Sequence, residues 1–175
     1  MSTSTSTDVL VIAASNGYNL QLAERFAAAA RQQGHSAAVI DLTTIDLPLF
    51  TPRAQVAGKP KMLAALEAQL AASPRWVICS PEYNGSIPPV LTSAIAWLSV
   101  QGSDFRALFN RRPVVIATHS GGAGYGVLTA MRLQLSHLGA YVVGRQLSSN
   151  SDHPAMDDSI TDLVTQLHQL HIAQP

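Results

Sequence analysis

The chain has 175 residues, and its 11 Lys and Arg balance its 11 Asp and Glu, so the formal net charge at pH 7 is zero. That length suits one domain with a full core, and 47% hydrophobic residues argue against disorder. Balanced charge gives no basic stripe for nucleic acid or acidic lipid, and a single cysteine, Cys79, excludes a disulfide framework and a cysteine-rich metal site.

The N-terminal MSTSTSTD is polar and lacks a basic residue, and the apolar run after it is short. No apolar run approaches the roughly 18 residues of a membrane span. The expectation is a disordered tail over residues 1–7, a single domain over 8–175, a cytoplasmic location, and no nucleic-acid or membrane partner.

Residues 8–14 (DVLVIAA) form a continuous apolar run of strand length. Residues 19–33 carry Leu20, Leu22, Ala23, Phe26, Ala27 and Ala30 at helical spacing, and Gly34 stops them. Residues 36–42 (SAAVIDL) predict a second strand. Residues 43–59 contain Pro48, Pro52 and Gly58 and predict a long loop. An Ala/Leu helix is predicted over 60–72 and a third strand over 75–80. The segment 87–100 predicts a helix with Pro88 and Pro89 in its first turn, where proline is tolerated. Residues 113–118 (PVVIAT) predict the fourth strand, 127–138 a helix, 140–144 a short fifth strand, and 156–171 the last helix.

Near-continuous apolar strands alternating with helices mean a parallel sheet covered on both faces. The expected fold is α/β, a flavodoxin-like doubly wound five-stranded parallel sheet in the order 2-1-3-4-5. Such sheets bind ligands beyond the carboxyl ends of their strands, at the switch in strand order. Three polar loops lie at that edge: Ser15-Asn16-Gly17 after strand one, residues 81–86 after strand three, and the glycine loop HSGGAGYG after strand four.

Each loop has a plain and a chemical reading. In loop one (AASNGYNLQLAERF), Ser15, Asn16 and Asn19 either cap a helix or join its N-terminal N–H groups in holding a phosphate. In loop two (SPEYNGSIPPV), Asn84-Gly85 makes a turn and a proline starts a helix. That leaves Glu82 and Tyr83 at the ligand edge, where a rigid loop with outward N–H groups suits the rim of a planar heteroaromatic. Loop three is either a flexible loop needing positive φ angles or a place where backbone touches a ring.

The stretch SPEYNGSIPPVLTSAIAWLS closely resembles the (S/T)PEYNxSxPxxLKNAxDWxS signature of the NAD(P)H-dependent FMN reductase family, which includes quinone, azo-dye and chromate reductases. The resemblance extends to the first strand and helix, to DLPLF after strand two, and to THSGGAGYGVLTAMRLQLSHLGAYVV. It implies non-covalent FMN on the three loops, NADPH or NADH as electron donor, a small-molecule electron acceptor such as a quinone or flavin, and a homodimer or homotetramer. It also implies Ser15, Tyr18 and Asn19 around the phosphate, and Pro81, Glu82, Tyr83, Asn84 and Gly85 along the ribityl chain and isoalloxazine. Ser120, Gly121 and Gly122 would approach the pyrimidine edge, with Gly124 in that loop's turn. One departure stands out: the family's first loop usually reads GSxRxxSxN, and AASNGYN here has no arginine. A charge-assisted hydrogen bond contributes about 1.5–3 kcal/mol, so its loss predicts weaker FMN binding.

Two other functions fit the sequence: a flavin-binding electron carrier without NAD(P)H activity, and a non-enzymatic flavodoxin-like domain that has lost FMN. Flavodoxins tend to be strongly acidic, and this chain is neutral. Among tempting residues, His119 is either a proton donor to a reduced quinone or a partner of a neighbouring loop. His153, His168 and His171 have no carboxylate or cysteine to complete a metal site. Cys79, inside an apolar strand, is expected in the core. Phe50, with its apolar neighbours in a long loop, is expected to dock on a second subunit.

Overall fold

The structure, a computed structural model, describes residues 6–170. It contains strands β1 (Val9–Ala13), β2 (Ala37–Asp41), β3 (Arg75–Cys79), β4 (Pro113–His119), β5 (Tyr141–Val142) and β6 (Leu147–Ser149). Its helices are α1 (Tyr18–Gln32), α2 (Pro52–Ala57), α3 (Leu63–Ala72), α4 (Pro89–Ser99), α5 (Tyr125–His137) and α6 (Asp157–Gln169). The sheet is parallel in the expected order β2-β1-β3-β4-β5.

The fifth position is shared. Tyr141 and Val142 pair with the start of β4, and Leu147–Ser149 pair with its end. Only the first piece was legible, because RQLSSN has no apolar run to mark a strand.

Strand alternation divides the core in two. Leu10, Ile12, Trp76, Ile78, Val114 and Ile116 face one layer with α3, α4 and α5. Val9, Val11, Ala13, Val77, Cys79, Val115 and Ala117 face α1 and α6. Each large side chain buried there contributes about 1.5–3 kcal/mol against exposure. Cys79 is fully buried, and burial pushes its thiol pKa up, so it is a core residue rather than a thiolate.

One expectation needs correction. The segment expected as a loop over 43–59 contains α2, started by Thr51, whose hydroxyl accepts from Ala54 N at 3.0 Å, with Pro52 in its first turn. Phe50 is seated on its own chain: its ring meets Trp97 edge-on at 5.1 Å, and its N–H donates to Ser93 Oγ at 2.8 Å. Trp97 Nε1 also donates to Pro48 O at 2.8 Å, which pins the segment down.

Of the N-terminal seven residues, Ser6 and Thr7 hydrogen-bond Ala72 O and Ser73 Oγ at the end of α3. Residues 1–5 and His171 lie outside the described residues. No described helix is long and apolar enough to cross a membrane.

Candidate active site at the carboxyl edge of the sheet

The ladder positions the loops. Ala14 N donates to Cys79 O at 2.9 Å, and Ser80 N to Ala117 O at 3.0 Å, so β1, β3 and β4 end in register and release their loops side by side.

Loop two is built around a tight hairpin turn. Tyr83 N donates to Ser86 O at 3.1 Å and Ser86 N to Tyr83 O at 3.0 Å, while Asn84 and Gly85 take φ of 51° and 73°. Positive φ at both central residues is the type I′ turn that Asn-Gly prefers. Pro81, Pro88 and Pro89 have no N–H, and Glu82 N–H points inward, donating to Ser120 Oγ at 2.9 Å. Asn84, Gly85 and Ile87 therefore keep the N–H groups of this loop that lack an acceptor among the described residues.

A directed chain of hydrogen bonds runs beneath. Thr118 Oγ1 donates to Ser80 O at 2.6 Å, so its contact of 2.7 Å with Ser120 Oγ must be donated by Ser120. Ser120 in turn accepts from Glu82 N. Each hydroxyl gives one proton and takes one, and the chain locks loop two to loop three.

Glu82 adds a second lock. Its Oε2 accepts from Val127 N, at the third residue of α5, at 3.0 Å. No side chain of α5's own N-cap residue, Gly124, does this, so Glu82 caps the helix from another loop. The contact leaves no room for a Cβ at Gly126, which would lie 2.2 Å from Gly85 O and 2.8 Å from Glu82 Oε2. At Gly124 (φ 65°) a Cβ would lie 2.5 Å from Thr118 Cγ2.

Asn19 ties loop one to the same frame. Only 2% exposed, it donates from Nδ2 to His119 O and accepts from His119 N, both at 2.9 Å. Its carboxamide thus extends β4 sideways like a piece of strand. Tyr18, 62% exposed, stacks on the His119 ring at 4.4 Å. A fourth segment supports loop three. Asn150 Oδ1 accepts from Asp152 N and His153 N, its Nδ2 donates to Gly122 O at 3.3 Å, and Ser148 Oγ donates to Ala123 O.

The expected site residues therefore fall into two groups. Ser15, Tyr18, Tyr83, Asn84, Gly85, Gly121 and Gly122 offer accessible atoms at the edge. Asn19, Pro81, Ser120 and Gly124 are buried and hold the loops, as does Glu82 through both its N–H and its carboxylate. Gly126, His119 and Asn150 join the frame without having been among the expected binding residues. Gly126 closes the legible glycine run, whereas Asn150 lies in a polar turn, SNSDHP, whose partner is 28 residues away.

The exposed backbone suits FMN. The N–H groups of residues 15–19 have no acceptor among the described residues, and α1 has no side-chain cap. An uncapped helix start with converging N–H groups favours an anion such as a phosphoryl group. Residues 121–124 also keep N–H groups without an acceptor among the described residues, and Gly121 and Gly122 have open space where a Cβ would be, so backbone there can meet a flat ring.

Comparison with known proteins places this geometry. Residues 7–154 match the family model described as NADPH-dependent FMN reductase. Among solved structures, the chain is similar to the flavoenzyme NAD(P)H:(acceptor) oxidoreductase FerB from Paracoccus denitrificans, at 17% identity and TM-score 0.73, covering 93% of this chain and 97% of that one. It is also similar to an oxidoreductase from Corynebacterium diphtheriae (20% identity, TM-score 0.72, 95% and 97% covered) and an azoreductase from Bacillus anthracis (16%, 0.61, 93% and 95%). At such identities these structures speak for the fold alone. No match is found among curated protein sequences. The family model spans most of the chain, including all three loops, and the chain belongs to the NADPH-dependent FMN reductase family.

Proposed function

We propose that the protein is an NADPH- or NADH-dependent reductase that holds FMN on the three loops and passes two electrons to a quinone, a flavin or a similar small acceptor. The observation that carries this reading is the distribution of unpaired backbone donors. They sit at residues 15–19, at 84, 85 and 87, and at 121–124, on loops that the ladder sets side by side. Bound FMN supplies the two-electron chemistry; the chain supplies position, orientation and electrostatics.

Within this reading, residues 15–19 hold the phosphoryl group at the start of α1. Asn84 and Gly85 donate to the ring edge from a turn that cannot relax, and Gly121 and Gly122 let backbone approach the opposite edge. Tyr83, 51% exposed, covers the mouth. Glu82, Ser120 and Asn19 keep the three loops in register. No side chain is assigned as nucleophile or general base.

The same reading includes a cytoplasmic homodimer or homotetramer. Tyr125 (67% exposed) and Leu133 (73%) on the outside of α5 are apolar surface that a second subunit would cover. A monomer by light scattering at micromolar concentration would remove that part.

The test is anaerobic mixing of the FMN-loaded protein with NADPH and, separately, NADH, followed by a quinone, an azo dye or free FMN. Bleaching of the flavin band by a nicotinamide and its return with an acceptor are expected. A bound flavin that neither nicotinamide reduces would instead mean an electron carrier.

A further inference from the structure

The three loops form an anion site with almost no formal positive charge. Residues 14–19, 80–88 and 119–124 contain no Lys or Arg; Glu82 is their one carboxylate and His119 their one basic side chain. A phosphoryl group of FMN brings close to two negative charges to the start of α1. Helix-dipole stabilisation at such a site contributes only about 0.3–1 kcal/mol when exposed, so a side-chain donor making a charge-assisted hydrogen bond beside it matters.

His119 is the residue placed to supply one. It ends β4 directly beside α1, because the Asn19 carboxamide grips its backbone at both N and O. Its ring lies under Tyr18, the first residue of α1, with centroids 4.4 Å apart and planes 26° from parallel. Both rings line a groove of about 370 Å³ that also holds Gln21, Arg25, Ser149 and Asn150.

The nitrogens have distinct surroundings. Ser149 Oγ donates its proton to Thr118 O at 2.8 Å, so it can only accept from His119 Nδ1, at a long 3.5 Å. Nε2 has no partner among the described residues. Nε2 is therefore the ring nitrogen open to an anion.

The other charges around the groove are committed elsewhere or lie off the loops. Arg25 donates to Ala155 O at 2.7 Å and pairs with Asp157 at 2.6 Å. His153 and Asp152 are exposed in the turn organised by Asn150.

Resting on the flavin reading above, we infer that the His119 side chain donates a hydrogen bond to the FMN phosphoryl group, from loops that carry neither lysine nor arginine. The test compares FMN with riboflavin, which has the same ring and ribityl chain but no phosphate. Equilibrium titrations of both flavins are run with wild type, His119→Ala, His119→Gln and His119→Arg, alongside thermal melts. His119→Ala is expected to weaken FMN about ten- to a hundredfold, the worth of a charge-assisted hydrogen bond. Riboflavin should change less than about twofold on the same scale. His119→Gln should fall between, and His119→Arg should match or exceed wild type for FMN. Equal weakening of both flavins would show that His119 holds the ring or merely the fold, and would overturn the inference. So would unchanged FMN binding in His119→Ala. A wild-type chain that takes up neither flavin would overturn the flavin reading itself, and this inference with it. If His119→Ala does not fold, the FMN-to-riboflavin ratio in His119→Gln and His119→Arg decides.

Discussion

Substituting Gly126 by alanine sets two effects of opposite sign against each other. Gly126 is the second residue of α5, where alanine's intrinsic advantage over glycine is roughly 0.5–1 kcal/mol in a helix. Its new Cβ, however, would lie 2.2 Å from Gly85 O and 2.9 Å from Gly85 C, about 1 Å short of an ordinary contact. The obstacle is backbone, held in a type I′ turn, so no side chain can swing aside. Overpacking of this kind costs about 1–3 kcal/mol. The clash should match or exceed the helix gain, for a net loss of roughly 0–2.5 kcal/mol and a Tm lower by up to about 10 °C. The larger effect belongs to the site. Loop two must move about 1 Å from α5, and displacements of that size can cost a hundredfold in a positioned constellation. FMN affinity, followed by quenching of flavin fluorescence, should drop at least tenfold. Gly144→Ala is the control, because its Cβ would meet nothing within 4 Å. A Gly126→Ala protein that melts higher than wild type and binds FMN equally well would refute the packing of loop two on α5.

Four further outcomes follow. Asn19→Ala removes both bonds to the His119 backbone in a buried setting and should cost about 2–4 kcal/mol, measurable by urea denaturation; a loss under about 1 kcal/mol would mean that water replaces the clamp. Glu82→Ala leaves Val127 N without its cap and should lower Tm by about 2–8 °C, whereas Glu82→Gln, which keeps an acceptor, should lose less. Gly85→Val forces a β-branched residue to φ 73° and should weaken FMN more than it lowers stability; undiminished flavin binding would remove loop two from the site. His168 stacks on His35 at 3.5 Å, and burial holds its pKa below the ordinary 6.5. The unfolded chain then takes up the proton first as pH falls. Stability is full above 6.5 and declines through the window beneath it, and a His168→Gln protein should show a flatter pH profile of urea midpoints.

The sequence shows the sheet because each central strand is a solid apolar run, and it shows loop two because Asn-Gly and the prolines have few other uses. What it hides are partnerships across long separations. Nothing near Glu82 says that its carboxylate caps a helix 45 residues on, or that its N–H turns inward to Ser120. Asn19 reads as a phosphate donor or a helix cap, and only the fold shows that its amide completes the edge of β4. The split fifth strand is hidden for another reason: Leu147–Ser149 gain their order from β4 rather than from an apolar run of their own. Helix α2 was legible in principle, since Thr51-Pro52 is a start signal, but Pro48 and Gly58 outweighed it.

Direct titration of FMN into the purified chain, with bound flavin counted by ultrafiltration and fluorescence, bears most immediately on the claim that the three loops hold this cofactor. Saturable uptake of one FMN per chain, lost in Gly85→Val and kept in Gly144→Ala, is the expected result. A wild-type chain that stays colourless and takes up no FMN would contradict it, leaving the three loops as a scaffold without a cofactor.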